Sequence, residues 1–271
     1  MTARMPAFYL PHGAGPCFFM DWNPPEMWKP MATFLEGIAS TLPDRPKAIV
    51  VVSGHWEESA FTAGAASDPA LIYDYYGFPA HTYELTYSAP GAPDLAEKIA
   101  RLLANAGLPA RADLSRGLDH GVFIPLKLVF PDATIPVVPL SLRSDYDAAA
   151  HVAAGRALAP LRDESVLIIG SGMSFHNMAG FRDPDFMARA PGYAAAFTDW
   201  LNSATTAVPA QREQMLGNWE SAPAARLAHP SRAEEHLLPL MVAAGAGGDD
   251  AGTCIFDHGE MGMRIAGYRF G

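Results

Sequence analysis

The stretch AIVVVSGHWEE, Ala48 to Glu58, is a β-branched apolar run that breaks at Ser53-Gly54 and delivers a histidine at its end. A run apolar at every position reads as a strand buried on both faces, the form typical of parallel sheets covered by helices. Two other stretches repeat the design: FYLPHGAGP (8–16) ends at His12, and SVLIIGSGMSFHNM (165–178) ends at His176. In open α/β sheets, the crevice beyond the carboxyl ends of the strands gathers residues from distant parts of the chain. Three imidazoles delivered there can converge on one transition-metal ion.

Working outward, further β-like runs occur at Ala7–Leu10, Ile135–Leu140 and Val166–Ile169, and two terminal strands at Thr253–Phe256 and Met263–Phe270. Helical patterns lie between them at Asp94–Ala106 (closed by Gly107), Asp147–Ala159 (ended by Pro160), Gly192–Ala204 and Ala233–Ala244. Alternating strands and helices predict an α/β fold: a central mixed β-sheet flanked by helices on both faces, with the metal site at one end. No linker or charge run divides the 271 residues, so the expectation is one catalytic domain over 1–271. Pro11–Pro30 and Asp68–Pro93 break the alternation; rich in Pro, Gly and aromatics, they are expected as ordered loops over a pocket.

The formal charge of −10, without a basic cluster, argues against nucleic acid and anionic membranes as partners. The N-terminus lacks the apolar core of a signal peptide, and no stretch approaches a membrane span. The two cysteines, Cys17 and Cys254, have no CxxC spacing, which suits a reducing cytoplasm and argues against a thiolate zinc site. Cys17 reads as an inert buried thiol. The expected partner is a small molecule, and the chain a monomer or a homodimer.

Of the nine histidines, His12, His55, His120 and His176 are flanked by Gly or Ser, which opens the backbone to a ligand. His236 sits in SRAEEHLLPLM, within the expected first turns of a helix. His151 is expected to face solvent and His258 to lie in a turn. HExxH, P-loop, GxGxxG and GxSxG signatures are all missing from the sequence, which removes the commonest zinc-protease, nucleotide and hydrolase readings. Imidazole alone does not choose among Zn, Cu, Fe and Ni. A three-histidine zinc hydrolase and a non-catalytic metal-binding protein therefore stay open beside an oxygenase.

Taken in order, PHGAGP (11–16), VVVSGHWEE (50–58), YDYYGFPAHTYELTYSAPGAP (73–93), GLDHGVFIPLKLVFPDATIPVVPLSL (117–142), GSGMSFHNM (170–178) and AEEHLLPLMVAAGA (233–246) resemble the class III extradiol ring-cleaving dioxygenases, nearest to the 4,5-DOPA dioxygenase type. The resemblance implies O2-dependent opening of a catechol on non-haem Fe(II), with Zn(II) able to occupy the site. For L-DOPA it implies 4,5-seco-DOPA, which cyclises to betalamic acid. By the same resemblance His12, His55 and His236 are the metal ligands, His176 is the acid/base residue and His120 a second pocket histidine. Relatives that cleave protocatechuate use a glutamate as third ligand. Here Glu235 and His236 compete for that place, and the EHxxPL pattern favours His236. Tyr73, Tyr75, Tyr76, Phe78, Tyr83 and Trp56 are candidates to wall the ring, Arg116, Arg143 and Arg182 to hold a substrate carboxylate, and Glu57 or Glu58 an ammonium.

Overall fold

A computed structural model describes residues 4–271. Its strands are β1 (Ala7–Pro11), β2 (Ala48–Glu58), β3 (Phe61–Gly64), β4 (Ala110–Asp113), β5 (Val137–Arg143), β6 (Val166–Gly172), β7 (Gly252–Glu260) and β8 (Met263–Phe270). They form one eight-stranded mixed sheet in the order β4-β3-β5-β2-β6-β1-β8-β7. The centre is parallel: Val50 pairs with Val138 of β5 and Ile168 of β6, and Tyr9 pairs with Gly170. β8 returns antiparallel on β1, with β7 beyond it. The central runs are apolar throughout because both of their faces are covered, and Ile49, Val50, Val51 and Val52 are fully buried.

The helices are α1 (Lys29–Ile38), α2 (Pro93–Asn105), α3 (His120–Val129), α4 (Ala148–Leu158), α5 (Pro184–Thr206), α6 (Pro209–Gly217), α7 (Ala225–Ala228) and α8 (Leu238–Gly247). Successive residues of β6 assign two of them to opposite faces. Gly170 packs against Pro239 of α8, whereas the next residue, Ser171, donates its hydroxyl hydrogen bond to the Gly121 carbonyl of α3. α4 packs on α8 and α1 on α3, giving two helical layers around the sheet. The expected α/β fold with a mixed central sheet is therefore the observed one.

Several local expectations are corrected. β3 (FTAG) and β4 (ARAD) are too short, and too poor in β-formers, to stand out from sequence; they exist because β5 and each other supply their ladders. Gly192–Ala204 is only the second part of α5. The last expected helix starts at Leu238 rather than Ala233, with Pro239 in its first turn, where a missing N–H costs nothing. No helix among the described residues is long and apolar enough to cross a membrane.

Candidate active site

Adjacency in the sheet assembles the site. β2, β6 and β1 are neighbouring parallel strands, so their carboxyl ends open on one side of the molecule. His12 follows β1 directly, and His176 follows β6 after a short turn. In β2 the pairing with β5 slips between Val52 and Glu57. Beyond the Ser53–Ser171 pair, Gly54–Trp56 have no ladder partner, which lets His55 turn toward the crevice, a common use of bulges beside active sites. α3 begins at His120, and the segment before α8 brings Glu235 and His236.

His236 lies in a turn ahead of α8 rather than within its first turns. Its carbonyl accepts hydrogen bonds from the Tyr9 hydroxyl (2.7 Å) and the Met173 amide (3.2 Å). A Cβ on Gly172 would collide with that carbonyl, so glycine is what allows the segment to lie against β6.

All five histidines singled out from sequence, His12, His55, His120, His176 and His236, line one cavity of about 660 Å³. The Nδ1 atoms of His12, His120 and His236 are hydrogen-bonded to oxygens, and those of His55 and His176 only lie near a carboxylate. His12 Nδ1 is 2.9 Å from Ser171 Oγ; because that hydroxyl gives its own proton to Gly121, it accepts from His12. His12 Nε2 is thereby left bare. His120 Nδ1 lies 2.8 Å from Asp74 Oδ1, and His55 Nδ1 lies 3.7 Å from Asp74 Oδ2. On the other side Glu235 Oε1 lies 2.9 Å from His236 Nδ1 and 3.4 Å from His176 Nδ1. Each carboxylate thus serves two imidazoles, Asp74 the pair His55 and His120, Glu235 the pair His236 and His176.

Burial, followed by repulsion from the other imidazoles, holds His12 and His236 well below the ordinary histidine pKa. Burial and His120 lower His55 to about 3, against the pull of Asp74. Near neutrality these three rings are uncharged and carry lone pairs. Burial raises Asp74 and Glu235, but the neighbouring imidazoles, His120 and His176 respectively, outweigh it and hold both carboxyls below their ordinary values.

Ring geometry tests which histidines fit a common ion. With metal–nitrogen bonds of about 2.0–2.1 Å, two ligand nitrogens lie ~2.9 Å apart at a right angle and ~3.3 Å at the tetrahedral angle; the ring centres then stand ~4.5–5.2 Å apart. His12 Nε2 and His55 Nε2 are 3.1 Å apart. Two lone pairs at that distance repel unless a proton or a cation lies between them. The ring centres of His12, His55 and His236 form a triangle with sides of 4.9, 5.1 and 4.8 Å. His55–His120 and His176–His236, at 3.8 and 3.5 Å, are too close to be co-ligands in this geometry. The candidate ligand atoms that lie within 4.8 Å of one another fall into two groups, His12 with His55 and His120, and His176 with Glu235 and His236, while ring-centre spacing alone favours the triangle of His12, His55 and His236.

The surroundings differ from the expected wall. Tyr75, Tyr76 and Phe78 line the cavity, but Tyr73, Tyr83 and Trp56 do not. Tyr73 gives its hydroxyl to Leu85 O, Tyr83 binds the Tyr75 carbonyl, and Trp56 stacks under Arg116. Arg116 pairs with Asp119 and Arg143 with Asp145, and with Arg182 they stay out of the lining. Glu57 reaches the cavity, whereas Glu58 pairs with Arg111. Further parts of the wall come from Trp28, from Met173, Phe175, Met178 and Phe181 after β6, and from Glu260, Met261, Met263 and Ile265 of the last hairpin. Nothing in the pattern of that hairpin marks it as part of a site. Asp74 did leave a signal, an acid set among aromatics in YDYYGF.

The remaining histidines lie outside the cavity. His151 is fully buried rather than solvent-facing, and His258 lies in β7 rather than a turn. Cys17 is a free, buried thiol with its pKa raised by burial, in keeping with an inert role.

A family model described as the catalytic LigB subunit of aromatic ring-opening dioxygenase matches residues 6–269. The 4,5-DOPA dioxygenase extradiol of Beta vulgaris is 40% identical over 267 residues, covering 97% of this chain and 95% of that protein. The Escherichia coli K12 protein of the same name is 35% identical over 246 residues, covering 90% and 86%. A crystal structure of an uncharacterized Escherichia coli K12 protein superposes with a TM-score of 0.76 at 31% identity, covering 99% of this chain and all of that one.

Proposed function

The chain belongs to the family of catalytic LigB subunits of aromatic ring-opening dioxygenases, and from that membership we propose that it opens the ring of L-DOPA or a closely similar catechol with O2, giving from L-DOPA 4,5-seco-DOPA and thence betalamic acid. The observation that carries this reading is the convergence of five histidines on one mostly apolar cavity, two pairs of them bridged by carboxylates.

In this reading His12, His55 and His236 hold Fe(II), and Zn(II) is able to take the same place. The ion supplies Lewis acidity toward the two catechol oxygens and the electrons for activating O2. The protein's own groups do the rest. Ser171 and Glu235 hold the Nδ1 atoms of His12 and His236 by hydrogen bonds, and the Asp74 carboxylate faces His55 Nδ1 at 3.7 Å, so that the Nε2 lone pairs face inward. His176, whose Nδ1 lies 3.4 Å from Glu235 without a hydrogen bond, takes the proton of the second catechol hydroxyl, and the neighbouring carboxylate stabilises the imidazolium that results. His120, fixed at Nδ1 by Asp74, presents Nε2 to the negative charge that develops on oxygen. Tyr75, Phe78 and Phe175 enclose the ring and exclude water. The unpaired cysteines agree with a cytoplasmic enzyme.

The test is anaerobic reconstitution with Fe(II), then L-DOPA and air, with O2 uptake and visible absorbance recorded together. Stoichiometric uptake with a yellow product is expected. Bound iron without uptake on L-DOPA, caffeate or protocatechuate would reject ring cleavage in favour of a zinc hydrolase or a binding protein.

A further inference from the structure

Three carboxylates line the cavity, Glu57, Glu235 and Glu260, and they are not equivalent. Glu57 accepts the Tyr146 hydroxyl at 2.5 Å, and Glu235 is engaged with His236 and His176. Glu260 is 2% exposed, and among the described residues neither of its carboxylate oxygens has a hydrogen-bond donor. The nearest basic group, His258 Nδ1, lies 3.3 Å from Oε1 but out of hydrogen-bond alignment. A buried carboxylate left in this state is costly unless something arrives to pair it.

The backbone holds Glu260 in place. It is the last residue of β7, paired with Met263 across a two-residue turn in which Met261 (φ 50°) and Gly262 (φ 80°) both adopt left-handed conformations. That is the turn whose twist matches a hairpin. Glu260 therefore stands on a tight hairpin end at the cavity wall, with Met261, Met263 and Ile265 around it. The lining contains no lysine or arginine among the described residues. A substrate carboxylate entering it would meet like charge, and a substrate ammonium would meet an acid that has no hydrogen-bond donor and only the half-exposed His258 imidazole near it.

We propose that Glu260 forms a cation subsite through which the cavity selects catechols bearing an aminoalkyl tail over catechols bearing a carboxylate tail. The inference rests on the catechol reading above and narrows it: the ammonium of the substrate side chain is the group that is recognised. L-DOPA carries that ammonium, and its carboxylate is left without a cationic partner in the lining. Burial pushes the Glu260 carboxyl above its ordinary value, and an ammonium against it would reverse that penalty.

The test compares dopamine, 4-ethylcatechol and 3-(3,4-dihydroxyphenyl)propionate on the Fe(II)-loaded protein and on its Glu260→Gln variant. Binding is measured by calorimetry under nitrogen, and O2 uptake separately in air. In the unaltered protein dopamine should bind about tenfold or more tighter than 4-ethylcatechol, the scale of one charge-assisted hydrogen bond, with the propionate weakest. In Glu260→Gln the ratio of amine to neutral catechol should fall to near parity, the loss appearing in KM rather than kcat. The thermal midpoint of the variant should not fall, since a buried carboxylate without a hydrogen-bond donor is removed. Equal binding of amine and neutral catechol in the unaltered protein, or an amine preference that survives in Glu260→Gln, would overturn the subsite. An amine preference lost in the variant while no catechol consumes O2 would support the subsite and reject ring cleavage instead.

Discussion

Replacement of Ser171 by alanine isolates the anchoring of His12 from every group that touches substrate. Ser171 and His12 are both buried, and the serine oxygen receives the Nδ1 proton at 2.9 Å while giving its own to Gly121. Without that oxygen, His12 has two courses. It keeps the proton on Nδ1, leaving a buried donor unpaired at a cost of roughly 1–3 kcal/mol, or it moves the proton to Nε2 and loses the lone pair a metal needs. Either course should weaken metal binding by about 10- to 100-fold, the range for loss of a partner behind a ligand. Affinity for Zn(II) is read by competition with a chelating dye, alongside thermal unfolding of the metal-free protein. Ser174→Ala is the control, because the Ser174 hydroxyl accepts the Ala266 amide at 2.8 Å and the residue lies outside the cavity lining. It should cost stability and leave metal affinity in place. A Ser171→Ala protein that is folded and binds Zn(II) within about twofold of the original would refute the reasoning, since the partner's contribution would then be absent.

Three further outcomes follow from the geometry. His176→Phe should retain metal yet slow turnover by about a hundredfold or more, the usual share of a positioned acid/base group; unchanged rates would reassign His176. Asp74→Asn removes the charge shared by His55 and His120, so it should lower both metal affinity and kcat, by about tenfold or more; an effect on neither would make Asp74 a bystander. His151 tests pH dependence away from the cavity. Buried, it donates Nδ1–H to Asp147 O (2.7 Å) and accepts the Arg143 amide at Nε2 (3.1 Å), and burial lowers its pKa to about 4. The unfolded chain protonates this residue first, near pH 6.5, so stability is full above that pH and falls as the pH drops toward 4. The loss reaches about 3 kcal/mol. Denaturant melts should show a shallower slope in this window for His151→Gln, and identical slopes would exclude the residue as a source.

How much of the molecule was legible depended on how locally each feature is encoded. The runs in β1, β2, β5 and β6 are apolar at every position because helices cover both faces, and burial of that kind leaves its mark residue by residue. β3 and β4 carry no such mark, since four residues of mixed polarity become strands only when neighbours supply their ladders. His151 misled because an alanine-rich helix reads as a solvated surface element, whereas α4 is buried against α8.

The sequence by itself determined that histidines stand at the ends of central strands, that the sheet is wrapped by helices, and which ordered motifs the chain shares with ring-opening dioxygenases. Strand ends, glycine breaks and apolar runs are all written in consecutive residues. Only the tertiary structure decided that five imidazoles share one cavity, that Asp74 and Glu235 each stand beside two of them, and that the last hairpin brings Glu260 to the cavity wall. Those relations join residues far apart in the chain, and their distances follow from strand order, the slip in β2 and the packing of α8 on β6. No local pattern records such distances.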